Sequence, residues 1–250
     1  CYMDVNQAFH DRRLNPGFRR RATRQEVIEA YEGGMRALDA EIRHLFSELD
    51  RRRLLDRTLV VITSDHGESF GAEANDHDPP DHGTSLYPEQ ARVPLFVVYP
   101  GKLPPGRVIA RPVSTRAIAG TIVHLLGVAE APFVGDPLLT LRAPGGPPGD
   151  PDAPLLATLK YEGRRLQSVI WRRWQYIRDL GNPSKGDELY DLASDPLARH
   201  NLAGTHPLLG PMRERLEHLL ASRSEPRETL PDAPGAPPSR PARPPAGRRP

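Results

Sequence analysis

Apolar residues recur every three or four positions over residues 27–49, and this spacing predicts a long amphipathic helix. Thr23 and Glu26 precede the stripe at the spacing of a capping box, in which each side chain accepts a hydrogen bond from the backbone N–H of the other residue. The helix is therefore predicted to begin after Thr23 and to end near Arg52. The apolar positions are Val27, Tyr31, Met35, Leu38, Ile42, Leu45 and Leu49.

Two short apolar runs that do not alternate with polar residues follow the predicted helix, Leu59–Thr63 and Val93–Tyr99. Such runs are typical of strands covered on both faces, as in a parallel sheet. The segment "STRAIAGTIVHLLG" predicts another helix, capped by Ser114 and ended by Gly127. Together with an opening strand at "CYMDV", this order predicts an α/β fold: a mostly parallel sheet flanked by helices.

The pattern changes after a Pro/Gly-rich connection at residues 129–154. The segments "LLATLK", "LQSVIW" and "WQYIR" predict a meander of short antiparallel strands, with Trp171 and Trp174 as core residues beside one turn. The segment "DELYDLASDPLARHNLA" is predicted to be irregular, and Pro207–Ser222 to form a closing helix. The expected organisation is an α/β body at 1–128, the connection, a small antiparallel subdomain at 155–223 and a disordered tail at 224–250.

The amino-acid composition of the chain limits the kinds of molecule that it is expected to bind. The tail holds nine prolines, five arginines and three acidic residues, so its excess charge equals the formal net charge of +2 for the whole chain. The body is therefore balanced, and nothing in it favours a nucleic-acid partner. No apolar run is long enough to predict a membrane span. Cys1 is the lone cysteine and stands in a predicted strand, so no intrachain disulfide is expected and the chain is expected to be part of a longer protein. The oligomeric state is not indicated.

Candidate chemistry follows the first buried strand directly, at Asp65-His66-Gly67. In open α/β sheets, sites form where loops diverge beyond the strand ends. A carboxylate offers hard oxygen to Ca²⁺, Mg²⁺ or Mn²⁺, whereas an imidazole also suits Zn²⁺. Gly67 permits a turn on which both side chains converge. Asp65 and His66 are therefore candidate ligands of one divalent cation, although the three-residue motif alone also fits a plain turn.

Linked motifs in order carry a resemblance to a known family. "TLVVITSDHGESFG", "DHGTSLYPEQARVPLFVVYPG" and "LYDLASDPLARHNLA" resemble the C-terminal part of a sulfatase, within the alkaline-phosphatase superfamily. "YEGGMRALDAEIRHLFSEL" is similar to the helix that precedes the metal-bearing strand of that family. The likeness covers residues 2–203, so it spans both the predicted body and most of the predicted C-terminal subdomain.

The resemblance implies a hydrolase of sulfate esters, acting on a small molecule or a glycan. It assigns Asp65 and His66 to a divalent cation, usually Ca²⁺, with Mn²⁺, Mg²⁺ and Zn²⁺ as alternatives. It places His82 in contact with the sulfate group, where it assists departure of the leaving oxygen. It also allows a periplasmic or secreted location.

Two departures from the family pattern qualify this expectation. Cys1 does not begin the "C-x-P-x-R" motif that yields the formylglycine nucleophile, and the upstream Asp pair of the metal shell is missing, so the chain alone is expected to be inactive. Asn6 stands where the family has a substrate-contacting histidine; it can donate a hydrogen bond but cannot shuttle a proton, and His10 is a weaker substitute. Three alternatives stay open: a phosphodiester or phosphonate hydrolase, a phosphoethanolamine transferase, and a non-catalytic pseudoenzyme.

Overall fold

The computed structural model describes residues 23–71, 77, 82–128, 138, 152–161 and 163–224. The predicted opening strand, Asn6, His10, most of the connection and the tail beyond Ser224 lie outside these residues. The helices are α1 (Arg24–Arg51), α2 (Pro88–Ala91), α3 (Ala117–Leu126) and α4 (Leu209–Ser224). The strands are β1 (Val60–Thr63), β2 (Leu95–Val98), β3 (Leu155–Tyr161), β4 (Arg164–Trp171), β5 (Trp174–Asp179) and β6 (Glu188–Asp191).

The long helix α1 begins with the predicted capping box. The Thr23 hydroxyl accepts from the Glu26 backbone N–H at 3.3 Å, and the Glu26 carboxylate accepts from the Thr23 backbone N–H at 2.8 Å. These two bonds satisfy donors that a helix N-terminus otherwise leaves open. The apolar stripe is only partly covered, since the side chains of Met35 and Leu45 are 44% and 49% exposed.

Strands β1 and β2 pair antiparallel, from Val60 opposite Val98 to Thr63 opposite Leu95. The expectation of a mostly parallel sheet is therefore not met in the part of the body that the structure describes. The predicted coverage of both faces is not met either, since Phe96 of β2 is 59% exposed, and an apolar run carries no information about strand direction. Direction depends on the path of the chain between the strands.

Helix α3 ends as predicted and begins differently. Gly127 follows it in the left-handed conformation, with φ of 73°, which favours glycine at this position. Arg116, rather than Ser114, occupies the N-cap position, and no side chain caps the helix. Ser114 lies in the preceding turn, where its carbonyl accepts from the Ala117 N–H at 3.0 Å. The Ser114 hydroxyl oxygen accepts from the Arg116 N–H at 3.3 Å, so Ser114 caps this preceding turn rather than the first residue of the helix itself.

The predicted C-terminal meander is confirmed and contains a fourth strand. Its order is β3-β4-β5-β6 with antiparallel neighbours, and Trp171 lies opposite Trp174 beside the β4–β5 turn. Strand β6 falls in the segment predicted to be irregular. All four of its residues are buried. It therefore lacks the alternation of a half-exposed strand, and its pairing with β5 is a long-range contact.

The four-stranded sheet is covered on both faces. Val169, Tyr176 and Leu189 lie side by side on one face and pack against Met212 and Leu216 of α4, all with no exposed area. On the other face, Ile177 and Tyr190, the sequence neighbours of Tyr176 and Leu189, pack with Tyr87 and Ala198 in a second cluster. Tyr87 precedes α2, so this second cluster attaches the sheet to the loop between β1 and β2.

The two tryptophans pack against the core that includes α4, as the sequence predicts. The guanidinium of Arg215 lies 3.7 Å from the ring centroid of Trp171, and that of Arg172 lies 4.6 Å from it. These distances are those of cation–π contacts. Among the described residues, none of the helices combines the length and the apolar character that crossing a bilayer requires.

Candidate functional site

The turn after β1 brings Asp65 and His66 together. The His66 backbone N–H donates to Asp65 Oδ1 at 2.9 Å, and the Ser64 hydroxyl donates to the His66 carbonyl at 2.7 Å. His66 Nδ1 lies 2.8 Å from the Gly67 carbonyl oxygen. Because a carbonyl only accepts, Nδ1 must carry a proton there. In the neutral ring Nε2 therefore holds the lone pair, and it lies 3.7 Å from Asp65 Oδ1.

The Asp65 carboxyl is held in its ionised form. Partial burial raises its pKa, but the charge of His66 and hydrogen bonds from backbone N–H groups and Ser64 outweigh burial and lower the pKa below its ordinary value. The Asp65 side chain is 86% exposed, whereas that of His66 is 34% exposed. The turn thus presents a charged oxygen and an imidazole nitrogen side by side.

His82 completes the cluster from the far end of the loop. Its ring stacks on that of His66, with centroids 4.3 Å apart and an interplanar angle of 11°. Its Nδ1 lies 3.1 Å from Glu68 Oε2, so Nδ1 donates to this carboxylate. The structure therefore brings together the three described residues that the sequence indicates, Asp65, His66 and His82. Glu68 was not predicted, although its place three residues after Asp65 is a usable signal.

Gly67 lets the turn pack directly on the backbone of α2. Its N–H donates to the Gln90 carbonyl at 2.8 Å. A Cβ at this position would lie 2.1 Å from the Glu89 carbonyl oxygen, a distance that no side chain tolerates. Close backbone approach, rather than an unusual φ, is therefore what requires glycine here.

Gln90 connects the turn to the segment that follows His82. Its side chain is buried, with Oε1 accepting from the backbone N–H groups of Thr84 at 3.0 Å and Ser85 at 3.1 Å. Its Nε2 donates to Thr84 Oγ1 at 2.8 Å. One residue thus holds both ends of the loop, through its carbonyl and through its amide. Nothing in the sequence marked Gln90, because its partners define its role.

Helix α1 supports the site from the other side. Tyr31 packs edge-on against Phe70 with ring centroids 5.1 Å apart, and Arg24 Nε donates to the Phe70 carbonyl at 3.2 Å. Burial, followed by the charge of Glu68, raises the pKa of Tyr31, so the phenol stays neutral. These contacts fix the segment that carries Glu68.

The candidate metal site contains two potential ligands, the side chains of Asp65 and His66. In the parts of the chain that the structure covers, no group of three or more His, Cys, Asp and Glu side chains is arranged to hold an ion. Three further histidines lie elsewhere: His44 and His124 are exposed on helices, and His200 lies 3.4 Å from Asp195. Asp65 and His66 can therefore supply two ligands, and any others must come from outside the described residues.

The sulfatase family model matches residues 4–128 of the 250-residue chain. This chain belongs to the sulfatase family. Within it, the chain is 27% identical over 197 residues to an ulvan-active sulfatase of Formosa agariphila, a match that covers 76% of this chain and 37% of the relative. It is 30% identical over 197 residues to arylsulfatase K of Xenopus laevis, covering 74% of this chain and 36% of the relative.

A solved structure extends the comparison to a different ester chemistry. The chain superposes on the phosphonate monoester hydrolase of Agrobacterium radiobacter with a TM-score of 0.60 and 27% identity, covering 79% of this chain and 41% of that one. The chain therefore spans less than half the length of the curated relatives and of the solved structure that it matches.

Proposed function

We propose that the protein to which this chain belongs is a metal-dependent hydrolase of sulfate esters. Family membership supports the reaction class, and one observation in the structure supports the site. Asp65 Oδ1 and His66 Nε2 lie 3.7 Å apart, and the ring of His82 stacks on that of His66. His66 and His82, which are 16 positions apart in sequence, thus meet after the end of β1.

Asp65 and His66 are proposed as two ligands of one divalent cation. Protein ligands lie about 2.0–2.6 Å from such ions, so donors 3.7 Å apart can reach the same ion. The ionised carboxylate favours a hard cation, and Ca²⁺ is the ion we propose. When bound, the cation would neutralise charge on the nonbridging oxygens of the ester.

His82 is proposed to contact the anionic group of the substrate and to assist departure of the leaving oxygen. Glu68 accepts from Nδ1 of His82 and so fixes the orientation of the ring. An oriented imidazole is suited to donate a hydrogen bond or a proton. Asn6 is proposed as a further substrate contact, and it lies outside the described residues. The nucleophile is proposed to be a formylglycine beyond this chain, which by itself is expected to be inactive.

The substrate is proposed to be a sulfated small molecule or glycan. The name of the ulvan-active relative supports a glycan. Phosphonate monoester hydrolysis is a second candidate, because the Agrobacterium enzyme matches this chain at 27% identity over 79% of its length. Comparing turnover of an aryl sulfate with that of an aryl phosphonate monoester by the longer protein distinguishes the two. Turnover of the aryl sulfate by the 250-residue chain alone would contradict the predicted inactivity.

Manganese titration tests the metal assignment. Mn²⁺ relaxes nearby nuclei strongly, so even weak binding by two ligands should broaden the NMR signals of the His66 and His82 rings at substoichiometric ion. Asp65→Ala should abolish this selective broadening. Asp39→Ala, which removes an exposed carboxylate paired with Arg43 on α1, should leave it unchanged. Equal broadening in Asp65→Ala and the unsubstituted chain would overturn the assignment.

A further inference from the structure

His77 lies between the site loop and the C-terminal sheet, with an acceptor at each ring nitrogen. Nδ1 is 3.0 Å from Glu89 Oε1, and Nε2 is 2.5 Å from the carbonyl oxygen of Ala198. A carboxylate and a carbonyl only accept, and a neutral imidazole has a single N–H to donate. Both contacts are therefore hydrogen bonds only when the ring is an imidazolium.

The surroundings of His77 balance such a charge. The ring stacks on Tyr87 with centroids 3.7 Å apart, and Tyr190 meets it edge-on at 6.2 Å. Both tyrosine hydroxyls donate to Glu188, at 2.6 Å and 2.5 Å, and Lys185 forms an ion pair with the same carboxylate at 2.9 Å. Two cations, His77 and Lys185, thus face two carboxylates, Glu89 and Glu188.

Glu89 connects His77 to the candidate metal turn. Its Oε1 accepts from the backbone N–H of His77 at 3.0 Å as well as from the ring. The Glu89 carbonyl lies against Gly67, and the carbonyl of the next residue, Gln90, accepts from the Gly67 N–H at 2.8 Å. At the other end, Ala198 is fully buried in the second core cluster. A continuous set of direct contacts therefore runs from the C-terminal sheet to Gly67.

We propose that His77, as an imidazolium, is a positioning residue that ties the Asp65–Gly67 turn to the loop at Ala198. It acts by giving Glu89 and Ala198 one hydrogen bond each. Loss of the proton removes one of these bonds: either Glu89 keeps only the backbone N–H of His77, or the carbonyl of buried Ala198 loses its ring donor. None of the site ligands takes part in this titration.

The hydrogen bonds that His77 makes to Glu89 and Ala198 are expected to be stable only over a limited range of pH. Burial lowers the pKa of His77, but the bonds to Glu89 and Ala198 and the charges of Glu89 and Glu188 outweigh it and raise the pKa above 6.5. Burial raises the pKa of Glu89, but the bonds from His77 outweigh it and lower the pKa. The His77 contribution to stability is complete below the unfolded-state pKa and is lost as pH rises through the folded-state value. The Glu89 contribution is lost as pH falls through its own lowered value.

Nitrogen NMR of the ¹⁵N-histidine-labelled chain tests the protonation state directly. At pH 7 we expect both ring nitrogens of His77 to show imidazolium shifts, because each lies within hydrogen-bond distance of a group that only accepts. His77→Gln identifies the signals by their disappearance. A His77 ring that titrates at or below 6.5, or that is a single neutral tautomer at pH 7, overturns the proposal.

Amide hydrogen exchange tests the connection to the turn. We expect the protection factor of the Gly67 amide to fall about tenfold in His77→Gln, since a hydrogen bond to a charged group is lost. His44→Gln is the matched control and should leave it unchanged. Unchanged protection in His77→Gln overturns the positioning role. Both measurements omit metal and substrate, so their outcome is independent of the proposed function. If the variant does not fold, through-bond correlation from the His77 backbone assigns its ring signals in the unsubstituted chain.

Discussion

At the scale of single residues, Gly67 and Gly33 differ in whether the structure leaves room for a side chain. A side chain at position 67 would meet the Glu89 carbonyl at 2.1 Å, whereas one at position 33, inside α1, would meet nothing within 4 Å. We expect Gly67→Ala to destabilise the chain by about 1–3 kcal/mol because backbone must move. Gly33→Ala should stabilise it by about 0.5–1 kcal/mol through helix propensity.

Denaturant unfolding of both variants measures this contrast. The same amino-acid change is made twice, so the comparison isolates the packing of the site turn. A Gly67→Ala variant as stable as the unsubstituted chain would mean that the turn does not pack on α2 as described.

Single residues also show how far sequence reasoning reaches at the site. Asp65 and His66 could be singled out because they follow a predicted strand, whereas His82 was singled out through the resemblance to the sulfatase family. Their roles as ligands and substrate contact stay predictions. Glu89 and Gln90 could not be assigned roles, since each acts through partners brought close by folding. His77 could not be assigned a role either, because its Ala198 partner is 121 positions away.

At the scale of elements, α4 is held by a few fully buried side chains. Leu216 has no exposed area, whereas Leu126 of α3 is 52% exposed. We expect Leu216→Ala to cost about 2–5 kcal/mol of unfolding free energy, through lost burial and the cavity left behind. Leu126→Ala, the same substitution in an exposed helical position, should change it by no more than about 0.5 kcal/mol.

Thermal or urea unfolding of the pair provides the measurement. Comparable losses in the two variants would contradict the packing of α4 on the sheet. A large loss confined to Leu126→Ala would indicate that α3, rather than α4, covers the principal core.

Local signals predicted elements well where both partners of an interaction are near in sequence. The capping box of α1 and the glycine that ends α3 depend on neighbours within a few residues, and two-residue turns connect the strands of the β3–β5 meander. Strand direction in the β1–β2 pair depends on distant partners, and eight residues rather than a tight turn separate β6 from β5. The sequence pattern carries no direct record of those contacts.

At the scale of the whole molecule, the site loop and the C-terminal sheet are joined through buried polar contacts. Gln175 Nε2 donates to the Leu86 carbonyl at 2.8 Å, and Arg164 donates to the Thr84 carbonyl at 3.1 Å. Glu188 accepts from Tyr87 across 101 positions of sequence. The predicted division into a body and a C-terminal subdomain did not anticipate these contacts.

Glu188 is the buried carboxylate on which these contacts between the site loop and the C-terminal sheet depend. Glu188→Ala leaves the hydroxyls of Tyr87 and Tyr190 and the ammonium of Lys185 without their shared acceptor, and we expect a loss of about 3–5 kcal/mol. Glu217→Ala is the control, since its carboxylate is 56% exposed and pairs with Arg178 at the surface. It should cost no more than about 1 kcal/mol.

Two spectroscopic probes show whether these contacts make the site loop, the helices and the C-terminal sheet unfold together. Tryptophan fluorescence reports only the sheet, where Trp171 and Trp174 lie, while far-UV circular dichroism reports all helices, including the 28-residue α1. The two unfolding curves should coincide in the unsubstituted chain and separate in Glu188→Ala. Coinciding curves in that variant would contradict the coupling.

The guanidinium groups stacked on Trp171 have an optical consequence. Positive charge beside an indole attracts small anions and repels small cations. Iodide should therefore quench Trp171 emission more strongly than caesium does, and high salt should reduce the difference. The chain thus carries a charge-selective fluorophore next to α4.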